Sequence, residues 1–272
     1  MKAHFFDSAG KKQKEVSLPS QFSEEIRPDL VRRAVLAIQA NTRQRYGALP
    51  KAGQRQSANL SRRRRDYKSG YGIGISRSPR KTMWNRGTQF GWVGAFAPNT
   101  VGGRRSHPPK AAAIYAQKIN IKENKKAIRS ALAATLNADL VKKRGHLFKE
   151  LPTVLDSKIE NLTKTKQVID LFNNLGLEQE LVRLQDVRIR SGRGKGRGRP
   201  YRKKVGPLLV VSSACPLRKA ASNISGVDVC VVNNLNANLL APGTDIGRLT
   251  IYTEKALEKM DKEKLFLVKE SK

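Results

Sequence analysis

Pro207-Leu208-Leu209-Val210-Val211 is a continuous apolar run of the kind found in a strand buried on both faces. Val227 to Val232 is a second such run, and Leu249 to Tyr252 reads as a third strand. Helical stretches near Leu217 to Ser222 and Leu235 to Leu240 separate them, and Ala256, Leu257 and Met260 mark a closing helix. Strands that alternate with helices predict an α/β fold: a three-layer domain with a mostly parallel sheet flanked by helices.

Residues 3–6 and 14–18 extend the pattern as two short strands around a turn at Ser8-Ala9-Gly10-Lys11. Pro28 and Asp29 suit a first helical turn, and Leu30, Val31, Ala34, Val35 and Ile38 then carry a helix to about Arg43. Asn120 with Glu123 has the form of a capping box, and Ile128, Leu132, Leu136 and Leu140 predict one helix from there to Lys142-Lys143-Arg144, before Gly145. A strand is expected near Leu151 to Leu155, a helix from Thr165 through Val168, Phe172 and Leu175 to Gly176, and a shorter one over Glu178 to Leu184. The expected organisation is one α/β domain over 1–272, interrupted by basic excursions at 43–110 and 188–204.

The charge is concentrated in those excursions. The chain of 272 residues has a formal net charge of +32, and 43–110 holds sixteen Lys or Arg against one acid, Asp66. Residues 188–204, RIRSGRGKGRGRPYRKK, hold nine basic residues and no acid. Between Gly47 and Pro109 lie ten glycines and five prolines, with no sustained period of 2 or 3.6. Ordering a backbone costs about 1–2 kcal/mol per residue, on the order of 100 kcal/mol for this segment, and few Leu, Ile or Val are present to offset it. A polyanion outside the chain is therefore the expected ordering agent.

Among polyanions, RNA fits best. A chain spans at most about 3.3–3.6 Å per residue, so this loop folded double reaches on the order of 100 Å, enough to probe deep inside a structured RNA. DNA duplexes are usually read by helices or ribbons for which no motif is present here. An anionic membrane is a weaker partner, because the basic segments lack an amphipathic period and no run approaches a spanning length. The start, Met1-Lys2-Ala3-His4-Phe5-Phe6-Asp7, lacks a signal-peptide core, so a cytoplasmic protein is expected.

The residues read as RNA-binding in the first excursion are Arg43, Arg45, Tyr46, Lys51, Arg55, Arg62, Arg63, Arg64, Arg65, Tyr67, Lys68, Arg77, Arg80, Lys81, Trp84, Arg86, Trp92, Arg104, Arg105, His107 and Lys110. In the second they are Arg190, Arg193, Lys195, Arg197, Arg199, Tyr201, Arg202 and Lys203. Guanidinium groups pair bidentately with phosphate, and aromatic rings stack on unpaired bases. For Phe90, Trp92 and Phe96 the alternative is a small hydrophobic cluster that folds the loop back on the body. For Arg62 to Arg65 it is a solvated charge run or a nuclear-import signal.

Chemistry beyond binding has little support in the sequence. Gly70-Tyr71-Gly72-Ile73-Gly74 and Gly192-Arg193-Gly194-Lys195-Gly196 lack the strand, helix and spacing of phosphate loops. His4, His107 and His146 are scattered, and Cys215 and Cys230 read as small core residues in a reduced compartment. His146, just past a helix end, reads as structural. No metal or cofactor is expected. An α/β enzyme acting on nucleic acid would need convergent acids or histidines at the sheet's carboxyl edge.

Thr100-Val101-Gly102-Gly103-Arg104-Arg105-Ser106-His107-Pro108-Pro109-Lys110 closely resembles the L four family of large-subunit ribosomal proteins of archaea and eukaryotes. The likeness continues through Ile128 to Thr135, Lys143-Arg144-Gly145-His146, 192–199, Leu240-Ala241-Pro242-Gly243-Thr244 and Gly247-Arg248-Leu249-Thr250. The resemblance implies a structural, non-enzymatic constituent of the large subunit that binds its rRNA and supports assembly. It implies a loop tip near the wall of the nascent-peptide exit tunnel, about Gly70 to Arg86, with Gly70, Tyr71, Gly72, Ile73, Gly74, Arg77, Arg80, Lys81 and Trp84. Implied partners are large-subunit rRNA, neighbouring ribosomal proteins and the nascent peptide, with no obligate homo-oligomer. Eukaryotic members carry a long C-terminal extension, and its absence here points to an archaeon.

Overall fold

A computed structural model describes residues 2–67, 69–87, 89–151 and 153–267. In chain order, β1 (Lys2–Phe6) and β2 (Lys12–Ser17) precede α1 (Pro28–Thr42), and β3 (Arg80–Arg86) and β4 (Gln89–Gly94) lie inside the first excursion. Next come α2 (Ile121–Thr135), α3 (Ala138–Lys143), β5 (Val154–Leu155), α4 (Thr165–Asn174) and α5 (Glu178–Gln185). The rest is β6 (Arg188–Ile189), β7 (Tyr201–Arg202), β8 (Leu208–Val211), α6 (Leu217–Ala221), β9 (Asp228–Val231), α7 (Ala237–Leu240), β10 (Thr250–Thr253) and α8 (Glu254–Lys262). The chain divides into two compact units, Met1–Thr42 with Ala116–Lys272, and Arg43–Tyr115.

The first unit is the α/β body. Its sheet has the order β2-β1-β5-β10-β8-β9, in which β1 and β2 pair antiparallel and every other neighbouring pair is parallel. Successive side chains of a strand point to opposite faces, and the two apolar clusters sort accordingly. Phe5, Val154, Tyr252, Leu208 and Val210 face a layer built with α1, α2, α7 and α8. Phe6, Leu155, Ile251, Leu209 and Val211 face α4, α6 and the end of α5. Both faces of the sheet are thus covered, which explains why β8 reads as an unbroken apolar run. The edge strand β2 is Lys12-Gln13-Lys14-Glu15-Val16-Ser17, and its exposed charges oppose pairing with another chain.

Three local expectations are corrected. The helix expected from Asn120 to Arg144 breaks after Thr135, because Asn137 Oδ1 accepts from Asp139 N–H and Leu140 N–H and starts α3. Asn120 makes no side-chain cap, and Glu123 meets the Arg33 guanidinium at 2.8 Å instead. The strand expected over 151–155 shortens to β5, with Pro152 outside the described residues.

The second unit also differs from the aperiodic loop expected. β3 and β4 form an antiparallel hairpin whose register shifts between Thr82 and Trp84. That irregularity breaks the period-2 pattern, and Trp84 faces Gly91, a residue that gives no hydropathy signal. A Cβ on Gly91 would overlap the Trp84 indole, so a glycine there lets the ring lie across the neighbouring strand. Neither apolar cluster includes a residue of 43–115.

Candidate nucleic-acid interface

Two arms of the second unit run side by side. Ala48 N–H donates to Pro109 O at 2.9 Å, and Gly53, at φ +75°, packs against the backbone of Arg104. Farther along, Ser61 bridges Ser69 and Asn59 bridges Arg80, ahead of the β3–β4 hairpin. Buried residues are scarce: Ala95, Ser69 and Gly70 are the buried ones among those described.

Most of the described cations of this unit face solvent. Arg43, Arg45, Lys51, Arg55, Arg62, Arg63, Arg64, Arg65, Arg77, Arg86, Arg105 and Lys110 are exposed, as is His107, while Arg80, Lys81 and Arg104 are half-buried. Among the described residues no ion pair forms within 43–115. The one carboxylate, Asp66, accepts from Ser61 Oγ and Tyr67 N–H instead. Arg80 has internal work: its guanidinium donates to Ser76 O at 2.6 Å, Ser78 O at 3.2 Å and Ser76 Oγ at 3.0 Å, and so closes the turn before β3. Lys68 lies outside the described residues.

The aromatic side chains divide between internal packing and exposure. Phe90 stacks on Trp92 with centroids 5.6 Å apart, and Tyr67 meets Phe90 edge to face at 5.9 Å. Arg77 sits 4.3 Å from the Tyr71 ring centre, and Arg43 lies 4.1 Å from that of Tyr115, which is parallel to Tyr46. Tyr46, Tyr67 and Trp84 remain exposed. Exposed rings beside unopposed guanidinium groups suit stacking on unpaired bases and pairing with phosphate.

The second excursion is built as a small ribbon. β6 and β7 pair antiparallel through Arg188↔Arg202 and Ile189↔Tyr201, and Arg190 N–H donates to Pro200 O. Arg190 Nε holds Tyr201 O at 3.1 Å. Arg193, Lys195, Arg197, Arg199, Tyr201, Arg202 and Lys203 are exposed around the bend, where Gly198 takes φ +76°. Lys204 instead pairs with Asp186 at 2.6 Å, anchoring the ribbon at the end of α5.

The geometry is that of a folded body with two solvent-facing cationic surfaces. A model of the ribosomal protein L4/L1 family matches residues 16–263. The chain belongs to the L4/L1 family. The large ribosomal subunit protein uL4 of Nanoarchaeum equitans is 49% identical over 253 residues, 92% of this chain and 94% of that protein. Those of Methanococcoides burtonii and Archaeoglobus fulgidus are each 44% identical, covering 95% of this chain and 97% of their own length. The chain is an archaeal-type member of the L4/L1 family.

Several motifs that resemble the family serve the body of this L4/L1 chain. Arg248 is buried: Nε donates to Gly206 O, Nη1 to Leu239 O, and Nη2 pairs with Asp228 at 2.5 Å. Arg144 donates to Pro242 O at 2.6 Å, joining the Lys143–His146 and Leu240–Thr244 motifs; burial draws its guanidinium down to about 10, still charged at neutral pH.

Two buried carboxylates escaped the sequence reading. Glu180 on α5 is fully buried, 2.7 Å from His146 Nδ1 and 2.6 Å from Arg183 Nη2, and accepts from Leu147 N–H at 3.0 Å. Burial alone would raise its carboxyl, but hydrogen bonds from Arg183, His146 and Leu147 prevail and hold it at about 2. Burial pushes His146 below its ordinary value, so the neutral ring donates its Nδ1 proton to Glu180. Arg183 also reaches Val205 O, which ties this network to the root of the second ribbon. At the carboxyl edge of β8 and β10, Glu160 accepts from Ser212 N–H, Ser212 Oγ and Thr253 Oγ1. Only the Arg183 position, three residues after Glu180 on one helix face, left a signal in the spacing. Among the described residues no group of three or more His, Cys, Asp and Glu side chains is placed to hold a metal ion, and no helix is long and apolar enough to cross a membrane.

Proposed function

We propose that the chain is a non-enzymatic structural constituent of the large ribosomal subunit, acting in the cytoplasm. It binds large-subunit rRNA through both excursions, supports subunit assembly, and contributes its long excursion to the wall of the nascent-peptide exit tunnel. The observation that carries this reading is the second unit itself: many exposed cations, one carboxylate and, among the described residues, none that joins either apolar cluster of the core. Neighbouring large-subunit proteins are partners, and homo-oligomerisation is not required. Relatives named as large-subunit proteins over nearly their whole length support the assignment.

The phosphate grip comprises Arg62, Arg63, Arg64, Arg65, Arg104 and Arg105 in the arms, with Arg193, Arg197 and Arg199 in the ribbon. The tunnel-proximal tip holds Gly70, Tyr71, Gly72, Ile73 and Gly74, with Arg77, Arg80, Lys81 and Trp84. Gly72 and Gly74 take φ +78° and +65° with open space around them, a side-chain-poor surface that supports a place beside a moving peptide.

Binding to rRNA should weaken with salt, log K falling by about 0.7–0.9 per neutralised phosphate for each tenfold rise. Replacing Arg62 to Arg65 with alanine should flatten that slope by about 0.7–0.9 for each arginine that held a phosphate. An unchanged slope removes them from the grip. Crosslinking from residues 70–74 in assembled subunits tests the tip, and crosslinks far from the tunnel wall overturn that placement.

A further inference from the structure

The single acid of the first excursion lies in a cleft. Asp66, Ser61, Asn59, Thr82 and the rings of Tyr67 and Trp92 are among the groups around a space of about 750 Å³, roomy enough for a nucleotide. Arg80 also lines the space, its guanidinium held by Ser76 and Ser78, so the cleft sets the unit's one carboxylate beside a cation that already has partners and differs from the rest of this cationic surface. Asp66 is not exhausted by its internal contacts. It accepts from Ser61 Oγ and Tyr67 N–H, one bond to each oxygen, and a carboxylate has about four acceptor sites.

We infer that this cleft holds an unstacked nucleobase, and that Asp66 selects guanine. The inference rests on the RNA-binding reading above and deepens it. Unstacked bases are recognised by stacking on aromatic side chains and by hydrogen bonds along their Watson–Crick edge. Guanine presents two adjacent donors on that edge, N1–H and the N2 amine, which match an acceptor-only carboxylate. Adenine and cytosine each present one amine there beside an acceptor that a carboxylate repels, and uracil presents one donor flanked by carbonyls. Tyr67 and Trp92 supply aromatic surface, and Arg80, held by Ser76 and Ser78, fixes the adjoining turn.

The test uses the full chain and short uridine oligomers carrying one central guanosine, inosine, adenosine or cytidine, with uridine alone as reference. The guanosine oligomer should bind about tenfold tighter than the others. Inosine, which lacks the N2 amine, should lose most of that gain. Asp66→Asn should abolish the preference, so that the guanosine oligomer binds no tighter than uridine alone. Equal binding of all oligomers, or a guanosine preference that survives Asp66→Asn, overturns the cleft assignment while salt-dependent RNA binding stands. Binding of none of them overturns both. The inosine comparison uses the unaltered chain, so it decides the matter even where Asp66→Asn disturbs the 61–67 turn.

Discussion

The body and the excursion divide the work of an L4/L1 chain in opposite ways. In the body, charges are consumed: Arg248 is buried against Asp228, and Glu180 is enclosed by Arg183 and His146. In 43–115 most cations are exposed and, among the described residues, none forms an ion pair there, while aromatic contacts, bridges, glycine packing and the Arg80 hydrogen bonds hold what local order there is. A body that satisfies its own groups can fold by itself, whereas a surface built to bind must leave its groups unsatisfied. The expected consequence is a large difference in intrinsic stability between two parts of one polypeptide.

Hydrogen exchange on the free chain gives the widest separation. Amides of β8 and β10, central in the sheet, should open only with global unfolding, which for ordinary domains costs about 5–15 kcal/mol. Amides of 43–115 should exchange at least about a thousandfold faster, since a two-stranded hairpin without a core is marginal in water. Comparable protection in both regions would break the comparison, because it would mean that the excursion is stabilised from within.

The α/β class of the body and its mostly parallel sheet were legible because burial on two faces leaves unbroken apolar runs, as in Leu208–Val211, and because helices alternate between them; the strand order was not. The charge of the interface was legible for an equally direct reason, since sixteen cations against one acid survive any folding. Hidden features depended on single contacts. Asn137 ended α2 by a side-chain cap inside a stripe of Leu132, Leu136 and Leu140 that otherwise reads as one helix. The β3–β4 hairpin was masked by a register shift and by Gly91, whose role is to have no side chain. Asp66 looked like a stray acid until the chain folded it beside Tyr67 and Trp92.

Truncation should sharpen the contrast next. Phe172 is completely buried between α4 and the sheet, and Phe172→Ala should destabilise the body by about 3–5 kcal/mol in denaturant titration. Trp84→Ala removes a larger side chain from an exposed position on β3 and should leave the body's midpoint unchanged within about 0.5 kcal/mol. A large shift from Trp84→Ala would show that the hairpin contributes to the same cooperative fold.

Glu180→Gln should cost about 3 kcal/mol, because it leaves Arg183 without its carboxylate in a buried site. Its pH signature follows from the direction of the shift. Against burial, hydrogen bonds from Arg183, His146 and Leu147 hold the carboxyl at about 2 in the folded chain, below its ordinary value of about 4.5, so the stabilisation is complete above about pH 4.5 and is lost as pH falls towards 2. His146, lowered by burial, acts in the same direction below its ordinary value, since the unfolded chain takes up that proton first. The stability of Glu180→Gln should therefore fall less steeply on acidification than that of the unaltered chain. Parallel acid limbs would remove Glu180 from the account.

The smallest effect tests whether even an exposed side chain belongs to the body's cooperative unit. Asn137 is exposed, yet its Oδ1 holds two N–H groups of α3, which packs Val141 into the core. Asn137→Ala should cost about 1 kcal/mol, read as a fall of roughly 2–4 °C in the melting temperature. Asn85→Ala, at an asparagine on β3 that is also exposed, should produce no measurable fall if the hairpin lies outside the body's unfolding transition. If both substitutions lower the melting temperature equally, the two units melt as one; if neither does, the Asn137 cap does not start α3. A fall from Asn137→Ala alone locates the body's cooperativity down to a single exposed amide oxygen and leaves the excursion outside it.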